Sequence, residues 1–266
     1  MPELSLSIAD VRVAVGTRVS ELDDFVRDRY KGFVSPGVAD WRLTVDIATI
    51  TRGAAVDDVV VSRAADASFR YRLERPDFQG IADLRARSAT VTVDDVNEYS
   101  LDSFLRVLYS LALVGAQGLI LHAASLVRNG VGRIFCGRSG SGKTTLAGLS
   151  TDATVLSDEL SIVRVAGPRA SAYGTPFWGE FARAGTDQCA PLAGIYFLHQ
   201  ARRHVVERVG ARQALERLLP NVLFFSRDAE LTGRVLAIAA DLVDAVPCYD
   251  LFFRRDAGFW EVIDDA

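Results

Sequence analysis

Residues Gly137 to Thr144, GRSGSGKT, constrain this chain more than any others, because they fit the pattern GxxxxGK[ST] without a mismatch. Glycines let a backbone coil around phosphate oxygens with its N–H groups pointing inward, and a following helix start adds partial positive charge. In such a loop Lys143 reaches the β- and γ-phosphates, and the Thr144 hydroxyl is placed to ligate Mg²⁺. The flanks agree. Ile134-Phe135-Cys136 is an apolar run suited to a buried strand, and TTLAGL can start a helix. At average glycine usage, an accidental full match in a chain of 266 residues is on the order of one per cent. The motif implies a bound nucleotide, cradled by Gly137, Arg138, Ser139, Gly140, Ser141, Gly142, Lys143, Thr144 and Thr145. It does not say what the nucleotide is used for.

Composition narrows the partners. The chain is 49% apolar and 24% charged, and its 30 basic against 34 acidic residues give −4. With no basic excess, neither nucleic acid nor an anionic membrane is expected as a partner. Cys136, Cys189 and Cys248 are far apart, odd in number and free of any CxxC pairing, which argues for a reducing compartment and against a structural zinc site. The opening MPELSLSIADVRV has Glu3 and Asp10 and no long apolar run, so neither a signal peptide nor a membrane span is expected. The expectation is a cytoplasmic protein.

Residues 1–98 read as an accessory, mainly antiparallel β domain, possessing a short helix and serving recognition, shielding or assembly. Leu4, Leu6 and Ile8, then Val11, Val13 and Val15, alternate as half-buried strands do. Further strands are expected at 42–50, 59–63, 67–73 and 89–93, and Asp57-Asp58 and Asp94-Asp95 read as turns. Residues 99–266 read as the catalytic domain, opened by a helix from Tyr99 to Gln117 with Leu101, Phe104, Leu105, Leu108, Leu111 and Ala112 at helical spacing.

Asn129-Gly130 between two apolar runs signals a two-residue type I′ hairpin. In that register Arg128 pairs with Val131, Ser125 faces Ile134, and His122 faces Gly137, the first glycine of the loop. The strand entering the loop is therefore antiparallel to its predecessor, and His122 lies beside the phosphates, although a lone strand histidine is more often a core residue. Asp158-Glu159 end a short strand at 153–157, soon after the loop helix. They read either as a solvated turn or as the acids of metal-assisted phosphoryl transfer, one on Mg²⁺ and one on the attacking hydroxyl.

Residues 174–192 have no period and are rich in Gly, Pro and aromatics. Trp178, Glu180 and Arg183 there are either acceptor contacts or anchors of an ordered loop. Arg202 and Arg203 either neutralise phosphate charge or form a solvated edge. Helices are expected at 211–219 and 229–240, and a closing β-hairpin from 247–253 and 258–263.

From about Gly118 to Asp264 the chain resembles the catalytic domain of HPr kinase/phosphorylase, a family related to the phosphoenolpyruvate carboxykinase core. The carriers are the HAASLV strand with His122, the hairpin into GRSGSGKTT, and the acidic pair in LSDELSIV. The resemblance implies an α/β (α+β) P-loop kinase domain with a mixed, partly antiparallel sheet, and self-association into a homo-oligomer. It implies His122 near the γ-phosphate, Asp158 as base towards the acceptor hydroxyl, and Glu159 and Thr144 on the metal side. Glu159 stands where the family usually shows Asp, and the family's arginine-glycine signature is absent. The chain looks more like divergent HPr-kinase-like proteins, some of which phosphorylate serine on ribosomal peptide natural-product precursors, lasso peptides among them.

The expected function is an ATP- and Mg²⁺-dependent kinase acting on a hydroxyl, serine of a peptide or small protein, with Asp158, His122 and Lys143 catalytic and Thr144, Glu159 and Asp158 holding the metal. A small-molecule alcohol kinase and a non-catalytic nucleotide-binding module are the alternatives.

Overall fold

A computed structural model describes residues 4–50, 59–65, 69–179 and 181–266, apart from the side chain of Glu98. The expected Asp57-Asp58 turn, the start of the 67–73 strand and Glu180 lie outside the described residues. The chain forms two compact units, residues 1–116 with 224–234 and residues 117–223 with 235–266. A division after residue 98 was expected instead.

In the first unit, β1 (Leu4–Ile8) and β2 (Val11–Thr17) bury the alternating Leu4, Leu6, Ile8, Val11, Val13 and Val15. Ala9 and Asp10, both at positive φ, turn the hairpin between them. Helix α1 (Ser20–Arg29) buries Leu22 and Val26 and returns the chain to β3 (Trp41–Ile47), parallel to β2. Strands β4 (Val60–Arg63), β5 (Arg70–Arg75), β6 (Phe78–Asp83) and β7 (Ser88–Val93) form an antiparallel meander, and β7 lies parallel to β3. The sheet order is β1-β2-β3-β7-β6-β5-β4. Four of the six strand pairings are antiparallel, in keeping with the mainly antiparallel expectation, and β3 is parallel to both neighbours. A strand–helix–strand crossover through α1 brings the chain back in the same direction.

Helix α2 (Glu98–Gly115) starts at Asn97, whose side chain accepts from the Ser100 amide at 3.0 Å. It packs on this first sheet. Phe104 meets Phe78 edge-on at 5.6 Å, and Arg75 donates to Ser103 Oγ at 2.6 Å. Buried Asp102 accepts from Arg29 at 2.6 Å and from the Tyr30 hydroxyl. The helix expected to open the second domain belongs to the first, because an apolar stripe does not say which sheet it will cover.

The second unit begins with β8 (Gly118–Arg128) and β9 (Val131–Cys136), joined by Asn129 and Gly130 at φ 56° and 77°. Their ladder runs from Arg128↔Val131 to Ala123↔Cys136, in the register expected from the turn. After α3 (Lys143–Leu149), strands β10 (Thr154–Ser157) and β11 (Leu160–Ala166) both pair antiparallel with β8. The hairpin partner β12 (Arg169–Tyr173) then pairs with the start of β13 (Cys189–Gln200). Strand β13 continues parallel to β9, so the ladders β8-β11-β12-β13-β9 close on themselves. Beyond β13 lie β14 (Val205–Val209), α4 (Ala211–Leu218), α5 (Ala229–Ala245) and β15 (Cys248–Phe253), with β15 parallel to β13 and antiparallel to β14.

The closing hairpin is corrected: only its first arm is a strand. Residues Phe259–Asp264 form helix α6, which sends Phe259, Trp260 and Ile263 into a core with Phe135, Leu146, Tyr196 and Leu251. A run this short fits either period, and burial of two adjacent rings with a third residue one turn on selects the helix. The protein is mixed α/β with two mixed sheets. Among the described residues no helix is long and apolar enough to cross a membrane.

Candidate active site

The glycine-rich segment lies between the end of β9 and the start of α3, at the edge where β9, β13 and β15, all running the same way, reach their C-terminal ends. In α/β proteins, open or closed, ligands bind outside the carboxyl ends of parallel strands. Gly140 and Gly142 take φ 77° and 106°, and a Cβ on Gly142 would come 2.8 Å from Phe253 Cζ. Those two positions require glycine. Gln200 Nε2, at the end of β13, donates to the Gly140 carbonyl at 2.7 Å. Buried Lys143 folds its ammonium back onto the Gly137 carbonyl at 2.8 Å.

A cleft of about 420 Å³ opens over this loop. His122, Lys143, Thr144, Thr145, Asp158 and Glu159 line it. The strand ladder explains the convergence. Strand β8 carries His122 one residue past the Ala123↔Cys136 pair, level with the start of the loop. On its other edge, Ser157 lies opposite Ser125 and Leu160 opposite His122, so Asp158 and Glu159 fill the interval between β10 and β11. The Glu159 carbonyl accepts from the Ala123 amide at 2.8 Å, which fixes that interval against β8. Loop, imidazole and acids therefore stand side by side across adjacent strands.

Asp158 is buried, and its two oxygens accept from the amides of Gly179 at 3.1 Å and Phe181 at 2.9 Å. Gly179 passes so close to the acids that a Cβ there would lie 2.6 Å from Glu159 Oε2. The imidazole of His122 is half-buried, and burial first, then the Lys143 charge, lowers its pKa from 6.5. At neutral pH it is uncharged, with one nitrogen donating and one accepting. Cys136, immediately before the loop, packs instead of reacting, since burial pushes its thiol up to about 12.

The remaining expectations divide. Arg183 is exposed, stacks over Phe181 at 5.4 Å, and lines a neighbouring pocket of about 300 Å³ that shares Asp158 with the main cleft. Trp178 is half-buried and lines neither. Arg202 and Arg203 are exposed in the turn after β13 and do not line the cleft, which favours the solvated-edge reading. Gln200, Ala201, Phe253, Arg254 and Arg255 do line it, and sequence reasoning missed them. Their signal was the rule about parallel strand ends, which becomes usable once β9, β13 and β15 are known to be parallel.

Among the described residues no group of three or more His, Cys, Asp or Glu side chains is placed to hold a metal ion. Among the oxygen donors on the cleft are Asp158, Glu159 and the Thr144 hydroxyl. Such a set fits a hard cation shared with a phosphate-bearing ligand, not one caged by protein alone.

Fold and site together define a mixed α/β protein whose strand–glycine-loop–helix opens onto a cleft carrying an ammonium, a neutral imidazole and two carboxylates. The family model described as SynChlorMet cassette protein ScmC matches residues 89–266, and the chain belongs to that family. The match takes in every residue named on the cleft. No curated protein matches the chain.

Proposed function

We propose that the second unit is a P-loop kinase domain of the HPr kinase/phosphoenolpyruvate carboxykinase type, and that it uses ATP and Mg²⁺ to phosphorylate a hydroxyl, serine of a peptide or small protein. One observation carries this reading: His122, Lys143 and Asp158, brought from β8, the loop and the β10–β11 interval, line a single cleft. The loop itself supports a phosphate ligand. Gly140, Gly142 and Lys143 all line the cleft, with both glycines at positive φ, as a backbone cradle for phosphate needs.

In the reaction, the acceptor oxygen forms a bond to the γ-phosphorus while the bond from that phosphorus to the β–γ bridging oxygen breaks, and ADP leaves. Asp158 takes the hydroxyl proton, held in aim by the Gly179 and Phe181 amides. Lys143 exchanges its loop carbonyls for phosphate oxygens, and neutral His122 donates a hydrogen bond to the γ-phosphate without adding formal charge. Thr144, Glu159 and Asp158 would hold Mg²⁺, which when bound neutralises phosphate charge. Positioning and electrostatics of this kind make up most of phosphoryl-transfer catalysis.

The test is transfer from labelled ATP onto a panel of serine peptides, including any short peptide encoded beside this chain, since its family is named for a cassette. The full-length protein should label at least one peptide, and Asp158→Asn should reduce labelling about a hundredfold or more while ATP still binds. Undiminished transfer by that variant rules out the base assignment. ATP binding with no transfer to any peptide, sugar or alcohol leaves a nucleotide-binding module.

A further inference from the structure

The cleft is longer than its catalytic end requires. Strands β8, β9, β13 and β15 follow one another by ladder, so three strand intervals separate β15 from β8. His122 and the acids occupy the β8 side, whereas Phe253, Arg254 and Arg255 occupy the β15 side. The cleft is therefore polar along its length, acidic where Asp158 and Glu159 sit and cationic at the far end.

The two arginines are not equivalent. Arg254 pairs with Asp256, whose carboxylate also accepts from the Gly258 amide at 3.0 Å and meets His204 Nε2 at 2.8 Å. That network pins the turn after β15. Arg255 meets no carboxylate among the described residues, yet lines the cleft. An uncommitted guanidinium on a pinned turn is placed to take a ligand.

We infer that Arg255 is a nucleotide-binding residue that stacks its guanidinium on the nucleobase, at the end of the cleft opposite His122 and Asp158. The inference rests on the kinase reading, because it requires a nucleotide in the cleft. With the γ-phosphate at β8 and the tail running over the loop, the phosphates are spent before β15, and the part of the ligand reaching Arg255 is the nucleoside. A planar guanidinium suits an aromatic face better than an ammonium does.

Binding of a non-hydrolysable ATP analogue and of tripolyphosphate by the full chain separates the possibilities. Arg255→Ala should weaken the nucleotide about fivefold or more and leave tripolyphosphate unchanged, whereas Lys143→Met should weaken both. Arg255→Lys, which keeps the charge and loses the plane, should restore little. Unchanged nucleotide affinity in Arg255→Ala overturns the inference, and so does an equal loss for tripolyphosphate with full rescue by lysine, which would put Arg255 on the phosphates. If the wild type binds neither ligand, the kinase reading itself fails and the inference falls with it.

Discussion

His122 and Lys143 face one cleft, where burial first and the ammonium second hold the imidazole below its ordinary pKa of 6.5. The folded state therefore takes up this proton later than the unfolded chain does. Above about pH 6.5 the difference contributes nothing to stability, and as pH falls below that value the unfolded state gains. An NMR titration should place the His122 midpoint below 6.5 and move it upward in Lys143→Met, without reaching 6.5 because burial remains. His122→Asn should flatten the loss of stability below pH 6.5. A midpoint unmoved by loss of Lys143 would show that the two groups do not interact.

Gly142 combines a left-handed backbone with a close neighbour. Its φ of 106° strains any L side chain, and a Cβ would press on Phe253. Gly142→Ala should cost about 1–3 kcal/mol of stability, read by denaturant unfolding, and should abolish nucleotide binding. Adding Phe253→Leu removes the collision and leaves the dihedral strain, so the double variant should recover only part of the loss. Complete recovery would mean that the ring, and not the backbone, dictates glycine here.

The Asn129-Gly130 turn sets the register that brings His122 level with the loop. Both residues have positive φ, and no atom lies within 4 Å of a Cβ built on Gly130. Gly130→Val should therefore act through backbone strain alone, at about 1–2 kcal/mol. Since a long ladder backs the turn, nucleotide affinity should stay near that of the wild type. A large loss of affinity at unchanged stability would indicate that the register slips.

What was legible in the sequence was local. The Asn-Gly turn carries its own dihedrals, so the register, and with it the place of His122 beside Gly137, followed from two residues and a count. The acidic pair was legible because so little chain separates it from Lys143. Contacts made by distant segments were not. Phe253 beneath Gly142, Gln200 on the Gly140 carbonyl and Arg255 in the cleft depend on β13 and β15 being parallel to β9, and no short-range pattern encodes that. Helix α2 was legible as a helix and not as a lid on the first sheet. Run 259–263 failed for a different reason: five residues do not separate a period of 2 from one of 3.6.

In the first unit, Asp102 offers a measure of how strongly α2 is held. Its carboxylate is buried, accepts from Arg29 at 2.6 Å and from the Tyr30 hydroxyl, and has Arg106 within 3.6 Å. Burial, then the nearby Asp102 charge, pushes the Tyr30 hydroxyl's pKa well above 10.0, so it stays a donor at any physiological pH. Asp102→Ala removes the carboxylate that Arg29 and the Tyr30 hydroxyl share and should destabilise the chain by about 3–5 kcal/mol. Removing both, as Arg29→Met with Asp102→Leu, should recover part of that loss, because the two buried charges leave the interior together. Chemical denaturation of the single and double variants reads this directly. If the double variant is no more stable than Asp102→Ala, the network supplies specific hydrogen bonding that packing does not replace.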